Sequence, residues 1–270
     1  MPYSSPISDR TSEPKARQII ILLIIFGSII TFLLYSLFSL ANNLVNFIPV
    51  SVESKIGSLV VPSFEKKNKS NNTEKQLNQL LNNIEQKLSN DSLEKRDYQI
   101  IYIAEDTVNA IALPGDKIVI YEGLLKEIES ENELVMILSH EIGHFANRDH
   151  LRSIGNIILM KMVINYFLGG FEILQSGADL TNLVVNAQYS QTQEKKADIF
   201  GINLLYKYYG HVNGATDFFE RLEKEEKTPK FTQFLSSHPL PRKRVKNLER
   251  LIKENNYPLK DKKLLTIDIS

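Results

Sequence analysis

The segment "LSHEIGHFANRDH", from Leu138 to His150, contains residues whose types and spacing suit metal chemistry. His140 and His144 are four residues apart, so on a helix both imidazoles lie on one face and can bind the same ion. Two nitrogens on one helical turn suit a small tetrahedral ion such as zinc, with N–Zn distances of about 2.0–2.1 Å. Glu141 lies beside that ion, where its carboxylate can accept a proton from a water molecule. The motif therefore predicts a hydrolytic zinc centre.

A catalytic zinc site of this kind has three protein ligands and one open position. The chain has no cysteine, so the third ligand must be a histidine, an aspartate or a glutamate. The best candidate is Glu194 in "QEKKADIFG", and Asp198 follows it four residues later on the same helical face. One of these carboxylates can bind the ion, while the other accepts a hydrogen bond from the far nitrogen of a ligand histidine.

The competing interpretation is a solvated helix face without a metal. The motif continues the apolar run "LVMIL", where two histidines and a glutamate are costly to bury unless they are paired or metal-bound. Asp149 and His150 are expected to end the same helix, with His150 facing away from the ion in a structural or surface role. His211 follows Gly210 and is expected in a loop after a helix.

The elements that position the motif can be predicted from local patterns. Strands are predicted in "YQIIYIA" from Tyr98, "VNAIAL" from Val108 and "KIVIY" from Lys117. Pro114-Gly115-Asp116 has turn chemistry, so the last two strands are expected to form a hairpin. Helical patterns occur before the motif, across it and after it. Thr73 with Gln76 forms a candidate capping box at the start of the first of these helices. The predicted fold is an α+β domain, mainly helical, with a small β-sheet.

The start of the chain is strongly apolar. The run "IIILLIIFGSIITFLLYSLFSL" has no charged residue, and about 20 residues suffice for a helix to cross the hydrocarbon core. We interpret residues 19–41 as a transmembrane anchor in contact with membrane lipid. The alternatives are a buried core helix and a signal peptide cleaved near Ser39-Leu40-Ala41.

Basic residues before the anchor are Arg10, Lys15 and Arg17. The positive-inside tendency places residues 1–18 in the cytoplasm as a tail and the catalytic domain on the extracytoplasmic, periplasmic side. The rest of the chain is divided into three parts. Residues 42–75 are expected to be a juxtamembrane segment and linker, residues 76–256 the catalytic domain and residues 257–270 a C-terminal tail. Residues 154–171 form a second hydrophobic stretch, interpreted as a buried or membrane-associated helix; the alternative is a protein with two or more spans.

Composition excludes several classes of protein. The 32 basic and 32 acidic residues balance to a net charge of zero, which argues against nucleic acid as the main partner. The lack of cysteine excludes disulfides, thiolate metal sites and a cysteine nucleophile. The basic run "RKRVKNLERLIK" is interrupted by Glu249 and is expected to be a solvated helix face.

Four blocks, taken together and in this order, resemble the M48 family of zinc metallopeptidases, the group that contains the CAAX prenyl protease Ste24, HtpX and OMA1. The blocks are "NAIALPGDKIVIYEGLL", "ELVMILSHEIGHFANRDH", "EKKADIFG" and "SSHPLPRKRVKNL". They cover most of residues 76–256. The resemblance implies a zincin-like metallopeptidase domain, one zinc ion per chain and a polypeptide substrate.

The resemblance also implies roles for individual residues. The implied zinc ligands are His140, His144 and Glu194, with Glu141 as general base and Asp198 behind the ligands. His238 and Arg244 would lie near the metal and steady the substrate or the oxyanion. The implied substrate-binding edge strand consists of Asn109, Ala110, Ile111, Ala112 and Leu113, which would hydrogen-bond the substrate backbone as an added strand.

The chain departs from the family pattern in two ways. Gly115-Asp116 stands where the family usually has two glycines, which changes a turn and not the chemistry. The several spans of the prenyl protease and of HtpX are missing, so the chain is more similar to short, singly anchored members, and CAAX processing is not carried over.

The function expected from the sequence is that of a membrane-anchored zinc endopeptidase in quality control or processing of membrane-proximal or exported proteins. The alternative is a non-catalytic chaperone or adaptor on the same fold, against which the intact Glu141 speaks. A homo-oligomer and membrane partner proteins stay open.

Overall fold

The computed structural model describes residues 16–68, 72–88, 96–168, 177–225, 228–239 and 241–269. Most of the predicted cytoplasmic tail lies outside the described residues, and so do positions 169–171 of the second hydrophobic stretch. The helices are α1 (Ala16–Leu44), α2 (Val50–Glu65), α3 (Asn72–Glu85), α4 (Glu122–Glu127), α5 (Glu131–Ala146), α6 (Asp149–Leu168), α7 (Gly177–Val185), α8 (Gln191–Tyr209), α9 (Asp217–Lys224), α10 (Thr232–Ser237) and α11 (Pro241–Glu254). The strands are β1 (Gln99–Ile103), β2 (Ala110–Leu113) and β3 (Lys117–Tyr121).

Helix α1 contains the predicted anchor and extends beyond it at both ends. Among the described residues, Ala16–Phe47 is the one helical stretch long and apolar enough to cross a membrane, with a mean hydropathy of 2.7. No residue of α1 is buried, and side chains such as Leu22 and Phe32 are more than 60% exposed, at 63% and 67%. This exposure is incompatible with the alternative of a buried core helix.

The three strands form one sheet in the order β1–β3–β2. Strands β2 and β3 pair antiparallel, as the predicted hairpin requires, and β1 pairs parallel with β3. Gly115 (φ 87°) and Asp116 (φ 60°) both take left-handed backbone in the connecting turn, where an aspartate is one of the few tolerated side chains. Because the strand order is β1–β3–β2, strand β2 lies at an edge of the sheet.

Both faces of the sheet are covered by helices. Alternate residues such as Tyr102 pack with α3 and α5, and the residues between them, such as Ile103, pack with α2 and α7. Val60 and Phe64 supply the α2 contribution. The segment expected to be a connection after the anchor thus contains a packed helix, which has Pro62 in its last turn.

The segment after α11 also runs back over the domain. Thr73 Oγ1 donates a hydrogen bond to the Asp268 carbonyl (2.6 Å), and the Asp268 N–H donates to Gln76 Oε1 (2.8 Å). The predicted capping box is therefore wrong. Helix α3 already begins at Asn72, and both candidate capping side chains bind the C-terminal segment instead.

Helices α5 and α8 approach each other closely because glycines face their crossing. A Cβ on Gly143 would lie 3.0 Å from Ala197 Cα, and one on Gly201 would lie 3.2 Å from the His140 nitrogen. The two backbones can therefore pack without intervening side chains, which brings the start of α8 beside the middle of α5.

Candidate metal centre

Helix α5 presents two imidazoles to one point. Ser130 caps the helix by accepting a hydrogen bond from the Glu133 N–H, and residues 131–145 are all buried. The Nε2 atoms of His140 and His144 lie 3.0 Å apart. One face of one helical turn thus directs both nitrogens at the same small volume, as the spacing predicts.

Two further side chains reach this volume from other parts of the chain. Glu194, in the first turn of α8, places Oε1 3.3 Å from His144 Nε2 and Oε2 3.7 Å from His140 Nε2. His238, directly after α10, places Nδ1 3.4 Å from His140 Nε2 and 3.1 Å from Glu194 Oε1. One ligand atom from each of these four residues lies within 4.8 Å of all the others.

The donor set and its surroundings fit a zinc ion. Three imidazoles and a carboxylate are ligands that zinc prefers, and all four side chains are buried. Both oxygens of the fully buried Glu141 have no hydrogen-bond partner among the described residues, and neither has His238 Nε2, 3.7 Å from Glu141 Oε1. Orphaned buried groups of this kind are costly, so they indicate that a bound ligand completes the site.

The charges of the centre also favour a dication. Its buried carboxylates are Glu141, Asp149, Glu194 and Asp198, and Arg244 is the buried guanidinium that faces two of them. A surplus of buried negative charge is stabilised by a bound cation.

Each motif histidine has a carboxylate behind it. His140 Nδ1 lies 3.0 Å from Asp198 Oδ1, the arrangement expected for one of the two α8 acids. His144 Nδ1 lies 3.1 Å from Asp149 Oδ2. The expectation that Asp149 and His150 end the motif helix is wrong, because Arg148 (φ 55°) breaks the helix and both residues begin α6. Hydrogen bonds of this kind fix the ring orientation and leave Nε2 available to bind an ion.

Arg244, from α11, lies behind the candidate ligands rather than open to a substrate. Its Nη1 is 2.7 Å from Glu194 Oε2, and its Nη2 and Nε are 2.6 Å and 3.0 Å from the two Asp198 oxygens. The Phe219 ring lies under the guanidinium, 4.0 Å from Cζ to the ring centroid. Such a clamp holds both α8 carboxylates in place.

The pKa values of the buried groups follow from these contacts. Burial, helped by the Arg244 charge, lowers the pKa of His140 and favours the neutral ring that binds metals. Burial also lowers the pKa of His144, but hydrogen bonds to Asp149 and Glu194 outweigh it and raise that pKa to about 9. Burial raises the pKa of Glu194, yet Arg244 and the imidazoles hold it well below its usual range, so Glu194 is a carboxylate.

The remaining candidate residues are placed as follows. Asn109 is fully buried and its Oδ1 lies 3.4 Å from Ser237 Oγ, one residue before His238, so β2 begins next to the centre. His150 is turned away from the centre and binds Glu53 Oε1 (2.7 Å), and His211 lies in the loop after α8.

Tyr189 was not identified from the sequence. Its ring stacks on that of His144 with centroids 3.7 Å apart and an interplanar angle of 15°, and its N–H donates to the Ser237 carbonyl. The segment before α8 and the segment around His238 thus close over the centre together. A lone tyrosine in a loop carries no pattern that could have indicated this contact.

The chain is similar to a known family and to several curated proteins. The profile described as "Peptidase family M48" matches residues 71–252. The chain is 28% identical over 162 residues to mitochondrial metalloendopeptidase OMA1 of Schizosaccharomyces pombe (58% of this chain, 47% of that protein). It is 29% identical over 184 residues to the putative beta-barrel assembly-enhancing protease of Vibrio cholerae (63% and 38%).

A third relative is metalloprotease LoiP of Escherichia coli, 30% identical over 154 residues (55% of this chain, 60% of that protein). In each of these three comparisons, less than two thirds of the curated relative is matched.

Proposed function

We propose that this chain, which belongs to peptidase family M48, is a zinc-dependent endopeptidase held at a membrane by α1. The observation that carries the proposal is the convergence of His140, His144 and Glu194 beside the unpaired, buried carboxylate of Glu141. A purely structural metal site has no use for such a carboxylate, whereas a hydrolase needs a base at this position.

The ligands in this proposal are His140 and His144 through Nε2 and Glu194 through its carboxylate. Zinc bound there would supply Lewis-acid chemistry, polarising a carbonyl and acidifying a water molecule. Glu141 accepts a proton from the attacking water at Oε1 or Oε2 and returns it to the leaving amine nitrogen. Asp149 and Asp198 keep each ring oriented through Nδ1, and Arg244 keeps Glu194 and Asp198 in place.

The edge strand β2 is the proposed binding site for the substrate backbone. The Tyr121 N–H donates to the Asn109 carbonyl, so by the alternation of antiparallel pairs Ile111 and Leu113 also bond to β3. The backbone groups of Ala110 and Ala112 then point away from β3, toward the free edge. The Ala110 N–H is held by Asn109 Oδ1 (3.0 Å). An extended peptide can pair with such an edge whatever its sequence.

The described conformation is closed to a peptide. The centre is covered by Tyr189 and by the segment that carries His238, and each proposed ligand is at most 2% exposed. A cavity of about 230 Å³ beside Glu194 and Arg244 is smaller than the 300–1,000 Å³ typical of ligand pockets. We infer that His238 would be a fourth ligand of a bound metal in a resting state, and that the segment carrying His238 must move before a substrate binds.

The anchor supports a proposed location and task. Residues 19–41 would span the membrane once, with the N-terminus in the cytoplasm and the peptidase domain on the periplasmic side. Its substrates would be membrane-proximal or exported polypeptides in quality control or processing. Relatives named as a putative beta-barrel assembly-enhancing protease and as a mitochondrial metalloendopeptidase support a proteolytic role.

The test is a Glu141→Gln variant of the full chain, purified in detergent beside the wild type. The variant is expected to keep its zinc and to lose cleavage of casein, because only the base is removed. Wild-type cleavage should also stop with a chelator and return with zinc. Casein cleavage at the wild-type rate by the variant would contradict the proposed mechanism. Undiminished biological activity without cleavage would favour the chaperone or adaptor.

A further inference from the structure

We propose that the second half of α6, residues 159–168, lies in the lipid bilayer beside α1 as a helix that enters the membrane without crossing it. The partner is the acyl-chain region of the bilayer. The proposal rests on the proposed membrane span of α1 and adds a second membrane contact, made by the helix that begins at the metal centre.

Helix α6 runs antiparallel to α1. Arg152 contacts Asn46 and the Asn42 carbonyl (3.2 Å), and Asn156, one turn further along α6, donates to Asn42 Oδ1 (3.1 Å). As α6 advances, its contacts therefore move from the turn after α1 into the end of α1, toward the apolar run. Half-buried residues continue along the same side of α1 at intervals of four: Phe38, Leu34 and Ile30. Helix α6 thus points into the layer that α1 would span.

The side chains of this half of α6 suit lipid on more than one side. Met160 and Ile164 share one face of the helix and are 55% and 37% exposed, and Met162, on the opposite side, is 50% exposed. A helix at a protein–water boundary turns a single apolar face to the core and a polar face to water. Apolar exposure on opposite faces is instead typical of a helix whose surroundings are apolar.

The length of α6 limits how far it enters. Asn156 is level with Asn42, just beyond the end of the apolar run, and a polar cluster there suits the membrane surface. The following residues up to Leu168 rise about 1.5 Å each, or about 18 Å, against a hydrocarbon core about 30 Å thick. Lys161 lies about 7.5 Å below that surface, within reach of the headgroups for a flexible lysine.

This placement fixes the height of the metal centre. Asp149, which binds His144, is seven residues before Asn156 on the same helix, so the centre would lie about 10 Å above the lipid surface. A peptide bond at that height belongs to a segment of a membrane protein next to its span, or to a polypeptide lying on the bilayer.

The chain has no cysteine, so single labels can be placed without removing native residues. Full-length variants Met160→Cys, Met162→Cys and Ile164→Cys are labelled with an environment-sensitive fluorophore and reconstituted in phosphatidylcholine vesicles. Controls are Leu33→Cys on α1 and Lys195→Cys on the exposed side of α8. Quenching by lipids with nitroxide-labelled acyl chains is compared with quenching by iodide in water.

The three α6 labels are expected to behave like the Leu33 label, quenched by the acyl-chain nitroxide and protected from iodide, with the Lys195 label showing the reverse. Iodide quenching on α6 with a lipid-quenched Leu33 label would overturn the inference and leave the anchor intact. Iodide quenching at Leu33 as well would remove the anchor and the inference together. Protection of the α6 labels from both quenchers would place protein rather than lipid there, and would also overturn it.

Discussion

His144 and Asp149 lie on different helices, yet His144 Nδ1 is 3.1 Å from Asp149 Oδ2. The left-handed backbone of Arg148 separates α5 from α6 and turns the first residue of α6 back toward the motif. The metal centre is thereby joined directly to the helix that we place against the membrane.

Asp149→Ala is expected to weaken zinc binding by about 10- to 100-fold, the usual effect of losing a carboxylate behind a ligand histidine. The ring of His144 would lose the contact that orients it and keeps Nε2 for the ion. A competition titration against a zinc-binding dye measures the affinity. The matched control is Asp106→Ala, whose side chain is 84% exposed and binds Lys126. Equal affinities of the two variants would show that Asp149 does not support the site.

His238→Ala is expected to retain zinc and to cleave casein faster than the wild type. Three protein ligands suffice for a catalytic zinc, and removal of His238 frees the fourth position for water. Initial cleavage rates and zinc content of the same preparations provide the measurement. Zinc retained with cleavage abolished would instead assign His238 the substrate-steadying role that the family resemblance implies.

Gly143→Ala is expected to destabilise the fold by about 1–3 kcal/mol, as overpacking of a tight interface does. The added methyl group would lie 3.0 Å from Ala197 Cα and would push α8, with Glu194, away from α5. The control is Gly155→Ala on α6, where a Cβ meets no atom within 4 Å. The thermal unfolding temperature and the zinc affinity should both fall for Gly143→Ala and stay at the wild-type values for Gly155→Ala. Equal values for the two variants would contradict the close packing of α5 and α8.

The membrane-proximal helix α2 is joined to the domain by a buried charge. Glu53, fully buried, receives two hydrogen bonds from Arg96 (3.1 and 2.9 Å) and one from His150 (2.7 Å). Burial raises the pKa of Glu53, but its hydrogen bonds to His150 and Arg96 outweigh burial and lower the pKa from 4.5 to about 2. The stabilisation is therefore fully present above pH 4.5 and is lost as the pH falls toward 2.

Glu53→Gln should lower the free energy of unfolding by about 3 kcal/mol at neutral pH, at the low end for breaking a buried ion pair. The difference from wild type should shrink as the pH falls below 4.5. Denaturant unfolding over a pH series measures this difference in unfolding free energy. The protein is first stripped of metal, because acid would otherwise release the ion and add its own effect on stability. Glu65→Gln, exposed on the same helix, should show no such difference. A Glu53→Gln deficit that stays constant down to pH 2 would contradict the pKa shift.

The sequence predicted the parts of the structure that depend on local spacing. Glu194 was a candidate because few ligand types remained, and its approach to the histidines is a contact between distant segments. The shared face of His140 and His144, the β2–β3 hairpin and α1 all follow from periodicity or turn chemistry. Each needs only a few neighbouring residues, because helix and strand geometry then determine which side chains share a face.

What the sequence could not show depends on contacts between distant segments. Asp149 joins the site through a left-handed Arg148, and no glycine marks that break. The resemblance places Arg244 near the metal, but only the folded chain shows it clamped to Glu194 and Asp198. Helix α2 belongs to the domain because Glu53 and the apolar residues around Phe64 meet partners far along the chain.

The most direct test of the account is the zinc content of the full-length chain with each proposed ligand changed in turn. Elemental analysis should find one zinc ion per chain in the wild type, in Glu141→Gln and in His238→Ala. His140→Ala, His144→Ala and Glu194→Ala should lose the ion, while circular dichroism shows that their helices persist. A full complement of zinc in Glu194→Ala would contradict the proposed centre, because the ion would then be held without the carboxylate that α8 brings to the two histidines.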